Sequence, residues 1–460
     1  MPPLARSTAR SLASGLMNRL SVGGSMGGSV VGSMVGSAAA HLAGSVGLPV
    51  LMPVLMSLAV CWGLAMPAPA HAAGEPSAKH KLGKVSKANK AAKPRSKATK
   101  AAKAVIGQNQ PVRSDSDPDT VTYGQREDVL ALADELAARH GLDPAWARAQ
   151  LAQARYQPAV ARLIMPPPAG TAKNWAAYRA RFIEPDRLRA GAAFWSANLA
   201  WLDAAEQRYG VPAAVVVGII GVETFYGRVT GNFRVLDALA TLSLDFPKGR
   251  KDRSAFFRDE LGQFLRLVQT EQLVATAVKG SFAGAIGLGQ FMPGSINRFA
   301  VDFDGNGHID MAAGGAGSVP DVIGSIARYL AEHGWQRGMA THYPVKPPID
   351  SSDRAALLAP DILPSFSAAQ LIERGAELDA AGAGHSGPLA LVELQNGDAA
   401  PSYVAGTQNF YALTRYNWSS YYALAVIELG EAVAGLRNAA RCLDGATRRV
   451  DSTTQRSALT

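Results

Sequence analysis

The chain has 460 residues, 48% of them hydrophobic and 18% charged, so it can fill two or three domains and wholesale disorder is excluded. Its two cysteines, Cys61 and Cys442, exclude a disulfide scaffold and a Cys-rich zinc module. The net charge of +9 is unevenly spread, with +3 in residues 1–74, +9 in residues 75–103 and −3 in the rest, so the folded part is near neutral and no nucleic-acid partner is supported.

Residues 1–72 read as an export leader. Leu20 to Gly74 carries no Lys, Arg, Asp or Glu. The apolar stretch Val46–Met66 then runs into PAPAHAAG, where Ala70 and Ala72 suit an A-x-A cleavage site. Its length would also permit a retained membrane anchor. Cys61 closes a lipobox-like Leu58-Ala59-Val60-Cys61, but Val60 stands where a small residue is expected, so cleavage after Ala72 and a periplasmic location are preferred to lipid anchoring. Residues 73–118 form a Lys-rich linker with no large apolar periodicity, expected to be disordered. Blandly it is a solvated spacer; more sharply it is an electrostatic tether to anionic envelope surfaces.

Folded sequence is expected from Asp119 to Leu436, with an N-terminal α region at 119–210, a catalytic core at 211–345 and a C-terminal part at 346–436. Helical periodicity marks Arg126–His140, Pro144–Arg155, Trp175–Phe182, Arg187–Tyr209 and Pro212–Phe225. It recurs at Arg253–Glu271, Asp321–His333, Ala368–Arg374 and Tyr421–Leu436. The clearest strand signal is Leu389–Leu394, closed by a turn at Gln395-Asn396-Gly397. Residues 437–460 read as a polar tail. The fold class is therefore mainly α (α+β), with a small β element.

Three segments carry possible chemistry. Pro212–Phe225 is apolar nearly all round, so Glu223 in its last turn is either a paired structural glutamate or a general acid with a raised pKa. Gly280–Arg298 (GSFAGAIGLGQFMPGSINR) offers little side-chain bulk, so another chain can approach its backbone; a plain turn between helices is the alternative. Asp302-Phe303-Asp304-Gly305-Asn306-Gly307-His308-Ile309-Asp310 has the oxygen ligands, Gly and Ile of an EF-hand loop. Ala313 replaces the usual Glu at its twelfth position, and a carboxylate returns only at Asp321.

Gly218–Ser243, Gly280–Ile296, Val301–Met311, ELQNGD (Glu393–Asp398) and NFYALTRYN (Asn409–Asn417) together resemble the lytic murein transglycosylase B family over roughly residues 120–436. The resemblance implies a lysozyme-like helical core with a flanking α domain, a small β domain and a deep groove for peptidoglycan glycan strands. It places Glu223 at the family's catalytic acid/base. It places Tyr178, Ser281, Gln290, Met292, Tyr329, Tyr416 and Asn417 at substrate-contacting positions. Asp302, Asp304, Asn306, His308 (through its carbonyl) and Asp321 fall on a structural Ca2+ site, and no organic cofactor is implied. The Met311–Asp321 stretch and the KGRKDR segment (Lys248–Arg253) are longer than the family pattern.

The implied reaction is non-hydrolytic cleavage of the β-1,4 bond after N-acetylmuramic acid, with one glutamate as acid and then base. A hydrolytic muramidase stays open at this level, with Asp237 or Asp245 as its second carboxylate. So does a non-catalytic, calcium-stabilised peptidoglycan-binding protein.

Overall fold

The computed structural model describes residues 122–457, apart from 125, 167–172 and 313–315. The leader, Cys61 and the Lys-rich linker lie outside the described residues. The N-terminal region is a run of helices: α1 (Glu127–His140), α2 (Pro144–Leu151), α3 (Pro158–Leu163), α4 (Trp175–Arg179), α5 (Pro185–Ala197) and α6 (Leu199–Tyr209). Helix α7 (Ala213–Thr224) is followed by β1 (Phe233–Arg234), α8 (Val235–Leu244), α9 (Ser254–Thr270), β2 (Lys279–Gly280), α10 (Pro293–Phe299) and α11 (Val319–Glu332). Next come β3 (His342–Lys346), α12 (Ser351–Leu358), α13 (Ala368–Glu373), β4 (Glu377–Leu378), α14 (Ala380–Ala383), β5 (Ala390–Asn396) and β6 (Ala399–Gly406). Helices α15 (Gln408–Tyr416) and α16 (Ser420–Ser457) return to the helical body.

The mainly helical class is as expected, and helix α7 is its centre. Every residue of α7 except Ala214 is buried, and α5, α6, α11 and α16 all pack against it. Its seam with α16 is unusually close. A Cβ on Gly218 would lie 2.2 Å from the Val426 carbonyl oxygen, and one on Gly430 would lie 2.1 Å from that of Ala214. Only hydrogen fits at either position. Strands β3 to β6 form one antiparallel sheet in the order β4-β3-β6-β5, which covers a second small core of Leu357, Leu371, Leu389, Leu391 and Ala405. Among the described residues no helix is long and apolar enough to cross a membrane.

Several boundaries differ from the sequence reading, each for a local reason. The second helix ends at Leu151 rather than Arg155, because the Arg155 N–H donates to the Asp237 carboxylate at 3.0 Å. The segment expected as one helix over Arg187–Tyr209 is broken at Asn198, whose side chain donates to the Phe194 carbonyl at 2.8 Å. It also begins earlier, at Pro185, because the Glu184 carboxylate accepts the Asp186 and Arg187 N–H groups. The polar tail continues α16 to Ser457.

Candidate active site

Glu223 is the only acidic residue of α7 and lies one residue before its end. The chain turns sharply there: Phe225 and Tyr226 both adopt left-handed backbone, at φ 52° and 57°. The Thr224 hydroxyl donates to the Leu288 carbonyl at 3.0 Å and accepts the Gly227 N–H at 3.1 Å. That buried bridge ties the end of α7 to the Gly-rich segment. Glu223 itself is 9% exposed. Burial pushes its carboxyl up to about 7, opposed only by the Tyr422 hydroxyl. Tyr422 makes no hydrogen bond of regular geometry, yet stands near enough to favour the carboxylate. Burial raises the hydroxyls of Tyr178, Tyr416 and Tyr422, and the charge of Glu223 raises each further. The glutamate thus lies within electrostatic reach of three tyrosines.

The backbone of the Gly-rich segment packs closely against its neighbours. A Cβ on Gly287, at φ 71°, would lie 2.0 Å from the Met311 carbonyl oxygen. The Ser281 oxygen accepts the N–H groups of Ala283 and Ala285 at 3.3 and 3.0 Å, which leaves its hydroxyl proton to give. Gln290 donates to the Thr230 and Gly287 carbonyls at 3.1 and 2.8 Å, leaving its amide oxygen to accept. Half-buried Met292 caps the start of α10. There the buried Glu260 carboxylate accepts the Gly294 N–H at 2.8 Å.

Two further expected groove residues are bonded within the fold. Tyr329 donates to the Arg415 carbonyl at 2.6 Å, and Tyr416 donates to the carbonyl of Gly289. The proton of each hydroxyl is thus engaged, and the oxygen is left only to accept. Asn417 is 6% exposed and both polar atoms of its side chain lack a partner. An unpaired buried amide costs about 1–3 kcal/mol. Two contributors escaped the sequence reading. Thr224 and Tyr422 were hidden in apolar runs, and their only signal was a hydroxyl on a fully buried helix face.

Asp237 and Asp245 are both already bonded within the fold. Asp237 is fully buried and is bonded by the Arg155 N–H at 3.0 Å and the Gln157 amide at 3.3 Å, with Arg234 at 3.6 Å. Asp245 accepts the Tyr123 hydroxyl at 2.6 Å. Neither contributes to the shift of Glu223.

A second cluster lies at the start of α11. Asp302, Asp304 and Asp321 each present an oxygen within 4.8 Å of the others. Asp302 accepts the N–H groups of Gly305, Asn306 and Gly307, which hold its carboxyl below the ordinary range. Asn306 accepts the His308 N–H at 2.8 Å. Asp321, buried at the first turn of α11, accepts the Phe303 and Asp310 N–H groups at 2.7 and 2.8 Å and closes the loop. Burial and the nearby Asp304 push its carboxyl up. Three hard oxygen donors gathered against that repulsion fit a divalent cation.

The family model described as the transglycosylase SLT domain matches residues 124–431. Membrane-bound lytic murein transglycosylase B of Escherichia coli (strain K12) is 40% identical over 330 residues, which span 68% of this chain and 84% of that protein. The soluble lytic transglycosylase SltB1 of Pseudomonas aeruginosa superposes with a TM-score of 0.60 at 36% identity, over 68% of this chain and 99% of that one. Escherichia coli lytic transglycosylase Slt35 in complex with calcium gives a TM-score of 0.58 at 37% identity, over 69% and 96% of the two chains. With the family model matching residues 124–431 and sequence and fold similarity covering about two thirds of the chain, the chain belongs to the transglycosylase SLT family and is a lytic transglycosylase.

Proposed function

We propose that this enzyme cleaves the β-1,4 bond between N-acetylmuramic acid and N-acetylglucosamine in peptidoglycan strands, leaving a 1,6-anhydromuramoyl end. The observation that carries the reading is the buried carboxyl of Glu223 at the end of α7, set among tyrosines and raised to about 7. Protonated Glu223 donates to the glycosidic oxygen as the bond to the anomeric carbon breaks and positive charge develops on the ring. The carboxylate then removes the proton of the muramoyl C6 hydroxyl, whose oxygen closes on the anomeric carbon. The proton lent in the first step is regained in the second, and no water is consumed. A hydrolase would need a base for water, and the two aspartates available to sequence reasoning are committed elsewhere. New ends that resist borohydride reduction are expected; reducible ends would refute the reading.

Ser281, Gln290, Met292, Tyr178, Tyr329, Tyr416 and Asn417 are proposed to hold the glycan. Asn417→Leu is therefore expected to lower cleavage at least about tenfold. The same change should leave the melting temperature unchanged or raised, because an unpaired amide leaves the interior. A lowered melting temperature with full activity would make Asn417 structural.

Asp302, Asp304, Asn306, the His308 carbonyl and Asp321 are proposed to hold a calcium ion. Its contribution would be to fix the loop that enters α11, which carries Tyr329. Calcium at a hundredfold excess over its dissociation constant should stabilise the protein by about 2.7 kcal/mol. That shift should be lost in Asp302→Ala and Asp321→Ala. Equal shifts in wild type and variants would remove the site. Glycan strands lie outside the cytoplasm, so residues 1–72 are proposed to export the enzyme and residues 73–118 to attach it to anionic envelope surfaces.

A further inference from the structure

A cavity of about 540 Å³ opens between α6 and α11, lined by Arg208, Tyr209, Val301, Arg328, Ala331 and Glu332. That volume is within the usual range of small-molecule sites, about 300–1,000 Å³. The cavity stands apart from the catalytic carboxyl. Tyr209 ends α6 just before α7 begins, and Glu223 lies near the far end of α7, roughly 15 Å along an axis that rises about 1.5 Å per residue. Its walls are fixed by the fold. The Trp335 indole donates to the Gly210 carbonyl at 3.0 Å, and Arg337 donates to that of Gln207 at 2.7 Å, which pins the end of α6. Arg328 donates to the Ala300 carbonyl at 3.3 Å.

Several lining groups are unspent. Arg208 makes no hydrogen bond or ion pair among the described residues. Its guanidinium lies 5.3 Å from the ring centroid of Tyr209 and 5.9 Å from that of Phe303, which leaves its N–H edges free. The Tyr209 hydroxyl has no hydrogen-bond partner among the described residues. The exposed Glu332 carboxylate meets only the Arg328 guanidinium, at 3.7 Å. Val301 and Ala331 add apolar surface between these polar groups. The charge balance disfavours an anion. Helices α6 and α11 both end at the cavity, at Tyr209 and Glu332, so two partly negative helix ends and a carboxylate offset the two guanidiniums. Free donors and a free acceptor, set among methyl groups and an aromatic ring, suit a neutral sugar that carries hydroxyls and an acetamido group.

We propose that this cavity is a second glycan site, which takes an N-acetylhexosamine unit of a peptidoglycan strand while Glu223 works on another stretch of glycan. The assignment rests on the substrate proposed above and extends it. A polymer can engage both places at once, so the cavity would hold the enzyme on its insoluble substrate by effective concentration, without touching the chemical step.

Titration calorimetry of the Glu223→Gln protein with tri-N-acetylchitotriose tests it without cleavage. Two binding events per chain are expected. Arg208→Ala combined with Glu332→Ala should remove one of them. Ala331→Trp, which fills the cavity and deletes no polar group, should remove the same one. Arg208 and Glu332 are exposed and Ala331 is partly so, and melting temperatures should therefore hold. In the same background, both variants should bind peptidoglycan sacculi about fivefold more weakly, the loss of one or two hydrogen bonds. With Glu223 restored, they should cleave short soluble glycans with unchanged kcat/KM. A single event in the parent, two events retained in both variants, or displacement of the second event by inorganic phosphate would overturn the assignment. Failure of the transglycosylase reading would show separately, as reducible ends produced by the wild type.

Discussion

Glu223→Gln is expected to lower glycan cleavage by about 10³-fold or more, because acid–base catalysis by one group contributes about 10²–10⁴ and in the proposed reaction the same group serves both proton transfers. The amide keeps the shape of the carboxyl but can neither give nor remove the proton. The same change should stabilise the fold at neutral and alkaline pH. The carboxyl has a folded-state pKa of about 7 against an ordinary value of 4.5. Its contribution to stability is therefore fully present below about pH 4.5 and is lost as pH rises through 7. The variant escapes that loss, so its advantage should open between pH 4.5 and 7 and reach the order of 3 kcal/mol above it. Glu260 is raised in the same direction, to about 7, but it is present in both proteins and cancels in the difference. Denaturant unfolding across pH 4 to 8 measures the gap, and a constant gap would mean that Glu223 is not buried as described. In the wild type the same titration should make cleavage fall as pH rises through about 7, where the acid form is depleted.

Gly218→Ala should destabilise the fold by about 3 kcal/mol or more, although alanine is the better helix former by about 1 kcal/mol. The overlap decides the sign. The new Cβ would lie 2.2 Å from the Val426 backbone oxygen, so it can be accommodated only by parting α7 from α16. Those two helices carry Glu223 and Tyr422, so activity should fall with stability. Gly435→Ala on the same α16 is the internal control. Nothing lies within 4 Å of its added carbon, so it should stabilise by up to about 1 kcal/mol. Equal effects of the two substitutions in chemical denaturation would show that the seam is looser than described.

Much of the site was legible because chemistry-bearing residues stood out against their surroundings. Glu223 breaks an otherwise apolar helix, and the Asp302–Asp310 loop has a ligand spacing that few structures other than a cation loop need. What was missed has physical reasons. Helix α8 (VLDALATLSL) is buried on nearly every side, its few polar residues included, so it shows no clear amphipathic face. Helix α10 starts at Pro293 inside a Gly-rich stretch that reads as a turn. Strand β3 carries His342 and Tyr343 beside Pro344 without a clean alternation. Asp237 looked available because sequence cannot show that the Arg155 N–H and the Gln157 amide already occupy it. The unpaired amide of Asn417 is likewise visible only once its neighbours are placed.

The central claim is that one carboxyl, with no activated water, completes the reaction. Digestion of peptidoglycan strands in ¹⁸O-labelled water, followed by mass spectrometry of the fragments, tests it most directly. Products lighter by one water than hydrolytic fragments, with no ¹⁸O incorporated, are expected from the wild type, and no products from Glu223→Gln. Heavy oxygen at the new muramoyl ends would contradict the account, since it requires an attacking water and a base that Glu223 alone does not supply.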